Sequence, residues 1–341
     1  MIRTRSALFL GFAVLSFASC RVFDESLLNE TGEQLSDLGE DCIGDDVREF
    51  QSQNIFVPAD TTLLTNDRHE LSCVGGNARG NDGFFKVKMT RGKKWHFHVK
   101  IPADSSIDPA VYVLDSGCQD SVCQRGWGLN ECVSGQDEHF SFFPPRDGTF
   151  LVGVDSVERG GDALEVLAVE PTCGANGKEH SETCDDDNTD AGDGCDELCR
   201  AELTESDTVE KEPNDEPLAN ANVLVMDPGT SLEVTGQLGG KCDFDSFQVM
   251  VPDGGAVRAA MRPSGGGTDC GVALRLQLVD SGGTPRKTLE TEEGECPAFA
   301  EDDEDVAGLN EGAYYVRVAA IAPNEPGLID YALEIGAVPA P

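Results

Sequence analysis

Between Cys173 and Cys199 four cysteines fall in the spacing C-x10-C-x10-C-x3-C, and nearly everything between them is Asp, Asn, Gly or another polar residue. A stretch of 27 residues with so little apolar content has no core to fold around, so it requires covalent or metal staples. Zinc sites bring their ligands in close C-x2–4-C pairs, and only Cys195 and Cys199 approach that spacing. Disulfides through Cys173, Cys184, Cys195 and Cys199 are therefore the expected staple, which implies an oxidising compartment.

The N-terminus agrees with export. Arg3 and Arg5 precede an apolar run from Ala7 to Phe17, too short to cross a bilayer and suited to a secretory signal. The run leads into Phe17-Ala18-Ser19-Cys20, which resembles the lipobox of bacterial lipoproteins. The resemblance implies a signal peptide over 1–19 and Cys20 as the lipidated mature N-terminus. An ordinary signal with Cys20 left as a thiol is the other reading; removing Cys20 from the 13 cysteines leaves an even number. Two or three acyl chains anchor stably. Arg21 follows Cys20 where inner-membrane retention is associated with Asp, so the resemblance implies the outer membrane, on its periplasmic face or at the cell surface. Residues 20–40 are polar and acidic and read as a tether.

The chain carries 63 acidic against 25 basic side chains, a net charge of −38, and loss of the signal removes only basic residues. This sign excludes nucleic acid as a partner. Such acidity serves a solvated exterior, and part of it also suits a hard cation such as Ca²⁺, which takes six to eight oxygen ligands. With 38 glycines, 6% aromatic residues and few helical patterns, the composition points to β structure.

The chain repeats itself on either side of the cysteine-rich segment. Gly148-Thr149-Phe150-Leu151-Val152-Gly153-Val154 has its counterpart in Gly312-Ala313-Tyr314-Tyr315-Val316-Arg317-Val318. Closing strands follow, through Leu164, Val166 and Ala168 and through Tyr331, Leu333 and Ile335. Upstream, Asp82-Gly83-Phe84-Phe85-Lys86-Val87-Lys88-Met89 parallels Asp245-Ser246-Phe247-Gln248-Val249-Met250-Val251, and Ala110 to Asp115 parallels Leu274 to Asp280. Trp95, Phe97 and Val99 match Val257, Ala259 and Met261. Period-two alternation broken by Gly, Pro and Asp predicts an all-β protein, with two jelly-roll-like antiparallel β-sandwiches joined by the disulfide-rich segment. The expected limits are a first sandwich over 41–171, the cysteine-rich repeat over 172–202, an acidic linker over 203–216 and a second sandwich over 217–338.

Two families are resembled. Cys184-Asp185-Asp186, Asn188 and Gly192-Asp193-Gly194-Cys195 are similar in register to the Myxococcus-type cysteine-rich repeat of bacterial surface proteins, with Ala175 inserted and Asp187 replacing a glycine. Residues 208–338 resemble the bacterial pre-peptidase C-terminal domain through Glu210-Lys211-Glu212-Pro213-Asn214-Asp215, Asp243-Phe244-Asp245-Ser246-Phe247, Gly312-Ala313-Tyr314-Tyr315-Val316 and Tyr331-Ala332-Leu333. Residues 42–170 resemble it as a divergent cousin that lacks the Glu-Pro-Asn opening. The second resemblance implies a structural calcium site at Glu210, Glu212, Asn214 and Asp215, with Asp243 and Asp245 at the acidic turn. Four oxygen-bearing side chains within six residues, beside Pro213, suit a hard ion. Asp185, Asp186, Asn188 and Asp193 form a second candidate calcium loop, although Asp, Asn and Gly equally serve tight turns.

The first flank holds Cys42, Cys73, Cys118, Cys123 and Cys132, and the last holds Cys242, Cys270 and Cys296. Both counts are odd, so either one disulfide crosses between the modules, or two thiols are free, or a terminal cysteine reaches into the repeat. The expected bonds are Cys42 with Cys73, Cys270 with Cys296 and one pair among Cys118, Cys123 and Cys132; sequence does not fix connectivity.

No catalytic constellation emerges. Asp280-Ser281-Gly282-Gly283 lacks the glycine that precedes a protease serine and reads as a hairpin turn; His69-Glu70 has Cys73 where a zincin helix needs its second histidine. His96 and His98 share a strand face opposite Trp95, Phe97 and Val99 and read as surface histidines. The expectation is a non-enzymatic, lipid-anchored surface protein whose sandwiches bind extracellular polysaccharide or protein, with calcium as a structural cofactor. A spacer or envelope scaffold component is the alternative, and an accessory to a secreted hydrolase a more distant one.

Overall fold

The computed structural model describes residues 33–34, 38–39, 41–44, 46–66, 79–118, 137–157, 160–174, 177–179, 182–227, 229–239, 243–299, 303–321 and 328–339. Cys20, His69-Glu70, Cys73, Cys123, Cys132 and Cys242 lie outside them.

All regular elements among the described residues are β-strands. The first group comprises β1 (Glu33–Gln34), β2 (Glu49–Phe50), β3 (Asn54–Asp60), β4 (Gly83–Met89), β5 (Trp95–Lys100), β6 (Pro109–Asp115), β7 (Glu138–Phe142), β8 (Gly148–Ser156) and β9 (Ala163–Val169). The second comprises β10 (Glu202–Leu203), β11 (Asn222–Leu224), β12 (Ser231–Leu238), β13 (Phe244–Val251), β14 (Ala256–Pro263), β15 (Leu274–Val279), β16 (Pro285–Glu290), β17 (Gly312–Ala320) and β18 (Ile329–Val338).

Each group forms two sheets. The first has orders β1-β3-β9-β5-β7 and β2-β4-β8-β6; the second has β12-β18-β14 and β10-β11-β13-β17-β15-β16. The β3-β9-β5 and β12-β18-β14 arrangements coincide, as do β2-β4-β8-β6 and β11-β13-β17-β15, so the internal repeat is one of topology. The long ladders are antiparallel, and β1, β2, β10 and β11 add short parallel pairings. One strand departs: β7 extends the sheet beside β5, whereas β16 lies beside β15 in the other sheet.

Apolar residues at alternate positions face inward and build the cores, as the period of a strand dictates. Trp95, Phe97, Val99, Phe150, Val152, Val166 and Ala168 pack in the first, and Val257, Ala259, Met261, Val316, Val318, Leu333 and Ile335 in the second. Gly148 and Gly312 open β8 and β17 at φ of 148° and 153°, a conformation that favours glycine in both copies.

The register fixes how the upstream parallel, eight residues against seven in sequence, aligns. Gly148 pairs with Met89 and Gly312 with Val251, so the equivalent of Phe247 is Phe85, not Phe84, and Gly83 rather than Asp82 corresponds to Asp245. The shift is one residue, which in a strand exchanges faces. Burial follows this register: Val87 and Val249 are buried, Lys88 and Met250 exposed. The Trp95/Val257 match stands as read, since Phe97 pairs with Ala168 and Ala259 with Ile335.

The first sandwich is also buried on its outer faces. Leu167 and Val169, on the opposite face of β9 from the core residues Val166 and Ala168, are 6% and 3% exposed. Phe84, Tyr112, Leu114 and Leu151, on the far side of the β4-β8-β6 sheet from Phe85 and Val152, are fully buried. Cys42 bonds to Cys118 rather than to Cys73, tying the approach to β2 to the end of β6. Within the cysteine-rich segment the bonds are Cys173–Cys199 and Cys184–Cys195, one nested inside the other, and Cys270 joins Cys296. Asp280 to Gly283 closes the β15–β16 hairpin, with the Gly282 and Thr284 amides donating to the Asp280 carboxylate at 2.9 Å.

Candidate metal centre and the junction beside it

Residues 208–210 run along the edge of β12 before the second sandwich begins. Thr235 N donates to Thr208 O at 2.8 Å and Glu210 N to Thr235 O at 3.0 Å. This pairing directs the Glu210 side chain over Gly236 and Tyr331. Its Oε1 accepts from Gln237 N at 2.5 Å and its Oε2 from the Tyr331 hydroxyl at 2.8 Å. A Cβ on Gly236 would collide with both the Tyr331 ring and the Glu210 carboxylate, so glycine opens the space they share.

Glu210, Glu212 and Asp245 converge: one oxygen of each lies within 4.8 Å of the others. Among the described residues this is the one group of three or more acidic, His or Cys ligands so placed. Asp245, on β13, is fully buried, and burial together with Glu210, Asp243 and Glu212 holds its carboxyl well above the usual range. Loss of water around the Glu212 carboxyl, then the Asp215, Asp243 and Glu210 charges, raise it to about 8, although the residue as a whole is exposed. Carboxylates this close repel one another unless protons or a cation intervene.

The remaining residues of the expected set divide. Asn214 is fully buried; its amide N donates to Glu212 Oε2 at 3.0 Å and its Nδ2 approaches Glu210 Oε2 at 3.5 Å. Asp243 borders the group and accepts from the Gly239 amide. Asp215 lies outside the convergent set; its Oδ2 sits 3.6 Å from His139 Nε2 in the first sandwich. In the second candidate loop Asp186 and Asp193 are exposed and Asp185 and Asn188 half-buried: Asn188 Nδ2 donates to Asp193 Oδ2 at 3.2 Å, Asp187 N to Asp185 Oδ1 at 2.8 Å and Asn188 N to Asp186 Oδ1 at 3.4 Å. These are turn contacts, consistent with the positive φ of Asp187.

The expected acidic linker over 203–216 is not solvated throughout. Leu203 is fully buried, and Asn214, Asp215 and Glu216 are 0%, 4% and 3% exposed. The carboxylates of this run find buried donors. Glu216 accepts from the Ser141 amide at 2.6 Å and the Ser141 hydroxyl at 3.3 Å. Lys94 Nζ donates to Leu198 O at 3.2 Å and Ala219 O at 3.3 Å. Burial lowers Lys94 to about 8 against the opposing pull of Glu182 and Glu216. Burial lifts Glu216 to about 7 while His139 and the Ser141 amide oppose the rise.

His96 is likewise no surface histidine. Ser141, His96 and Val169 stand in register across β7, β5 and β9, and the next row is His139, His98 and Leu167. His96 is 6% exposed, with Nδ1 3.4 Å from Ser141 Oγ, while His98 Nε2 meets Asp137 at 3.2 Å. These rows form the face against which Asp215 and Glu216 seat.

The chain matches no protein-family model, and no curated protein matches it. Among solved structures it is similar to the pre-peptidase C-terminal domain of collagenase from Bacillus anthracis, at 14% identity and a TM-score of 0.22, over 34% of this chain and 95% of that one. It is similar to the CBM22-1-CBM22-2 tandem domain of Paenibacillus barcinonensis Xyn10C, at 12% identity and 0.19, over 75% and 83%. The CUB1-EGF-CUB2 domain of human MASP-1/3 shares 10% identity at 0.19, over 84% and 100%.

Proposed function

We propose that this is a lipid-anchored, non-catalytic surface protein of the outer membrane whose sandwiches bind an extracellular polymer or protein, with a structural calcium ion at Glu210, Glu212 and Asp245. The convergence of those three carboxylates supports the cation most directly. Hard oxygen donors from the approach segment and from β13 suit calcium, with the charge of Asp243 acting on Glu212 beside them. The ion would supply charge neutralisation, fixing Glu210 and Glu212 against the sandwich. The anchor rests on the lipobox-like Phe17-Ala18-Ser19-Cys20. Retention of residues 21–341 on isolated cell envelopes, insoluble glycans and collagen, in calcium and in chelator, tests the binding role. Saturable retention on one of them supports it, and no retention on any contradicts it.

One observation favours the spacer alternative. Among the described residues the exposed large apolar side chains are Ile43, Leu63, Val209, Val225, Met250 and Leu328, with no aromatic among them. A stacking platform for sugars needs exposed rings, so in the described surface polar and aliphatic contacts would have to carry recognition.

A further inference from the structure

We infer that cation occupancy at Glu210, Glu212 and Asp245 is coupled to docking of the first sandwich, so that residues which never touch the ion set its affinity. The inference rests on the cation reading above and adds a regulatory partner to it: the preceding sandwich.

The coupling is built into one short run of chain. Glu212 belongs to the carboxylate group and Asn214 bonds to it, while the next two residues, Asp215 and Glu216, reach the first sandwich at His139 and Ser141. A residue spans at most about 3.5 Å, so no slack separates the two roles. The backbone between them is held from three sides. Ser246 N donates to Asn214 O at 2.9 Å, Lys178 Nζ to Glu212 O at 2.8 Å and Thr183 Oγ1 to Pro213 O at 3.2 Å. Lys94 of the first sandwich closes the circuit, bonding the Leu198 carbonyl of the stapled segment and the Ala219 carbonyl beyond Glu216.

Where neither protons nor a cation neutralise them, mutual repulsion of Glu210, Glu212 and Asp245 displaces Glu212. Displacement of Glu212 drags Asp215 and Glu216 from donors that tolerate only a few tenths of an ångström of movement. Docking, in the other direction, holds Glu212 where the ion needs it. By linkage each event favours the other to the same extent.

Calorimetric titration of calcium into residues 21–341 tests this with wild type, Lys94→Met and His139→Ala. Lys94→Met keeps the buried stem and removes the ammonium; His139→Ala removes the Asp215 contact from a different strand. Each variant is first shown to be folded by its melting transition in chelator. The expected result is calcium affinity weakened about fivefold or more in both variants, with exchange of the Ser141 amide slowed by calcium in wild type alone. Wild-type binding with both variants within about twofold of it would overturn the coupling and leave the cation site standing. No calcium uptake by wild type would overturn the cation reading, and the coupling with it.

Discussion

The Ser141 amide donates to the Glu216 carboxylate at 2.6 Å across 75 residues of sequence. This bond marks where two topologically equivalent sandwiches stop being equivalent. In β14 the positions matching His96 and Lys100 hold Arg258 and Arg262, which pair with Glu334 at 2.5 and 2.6 Å on an open face. In the first copy the corresponding face carries Leu167, Val169 and His96 and is covered. One surface became a joint, and its counterpart remained in solvent.

Asp155 makes the first sandwich sensitive to pH. It is 1% exposed, and burial, with Asp82 nearby, raises it to about 8 against the Ser156 and Gly80 amides. The folded state therefore binds a proton that the unfolded chain releases above about pH 4. Stability falls as pH rises from there through about 8. Asp155→Asn should flatten that slope and raise the melting temperature at pH 8 by several degrees. Equal pH dependence in thermal melts of variant and wild type would refute the assignment.

Gly236→Ala should disable the cation site without removing a ligand. The added methyl meets the Tyr331 ring and the Glu210 carboxylate, so one of them must move. A cost of about 1–3 kcal/mol is expected from overpacking, together with a weaker stabilisation by calcium. Chemical denaturation with and without calcium measures both.

The disulfides should differ in worth. Cys42–Cys118 closes a separation of 76 residues and Cys270–Cys296 one of 26. In the chain-entropy description the longer loop contributes roughly 1 kcal/mol more. Double serine variants of each pair, compared by urea unfolding, should rank in that order.

Much of this was legible in sequence for a physical reason. Alternation in Trp95, Phe97 and Val99 gave both strand and register, because one face of β5 meets a core and spacing of two admits little else. Glu210 and Glu212 were legible as donors from their density beside Pro213. Asp-x-Phe begins both upstream stretches, eight residues against seven, so local similarity alone leaves their alignment one residue open, and the turn glycines fix the pairing. The joint has its own sequence signal: Val166-Leu167-Ala168-Val169 is an unbroken apolar run, the mark of a strand buried on both faces, where Leu333-Glu334-Ile335-Gly336 alternates. Cys42–Cys118 was beyond reach, since pairing depends on which loops meet in space.

Thermal unfolding of residues 21–341 in millimolar calcium and in chelator, for wild type and for Glu210→Ala with Glu212→Ala, tests the cation site most directly. Wild type should melt higher in calcium, reflecting a stabilisation of about 2–3 kcal/mol at a hundredfold excess over the dissociation constant, and the double variant should melt identically in both. A wild-type transition unmoved by calcium, or an equal shift in the double variant, would contradict a cation held by Glu210, Glu212 and Asp245.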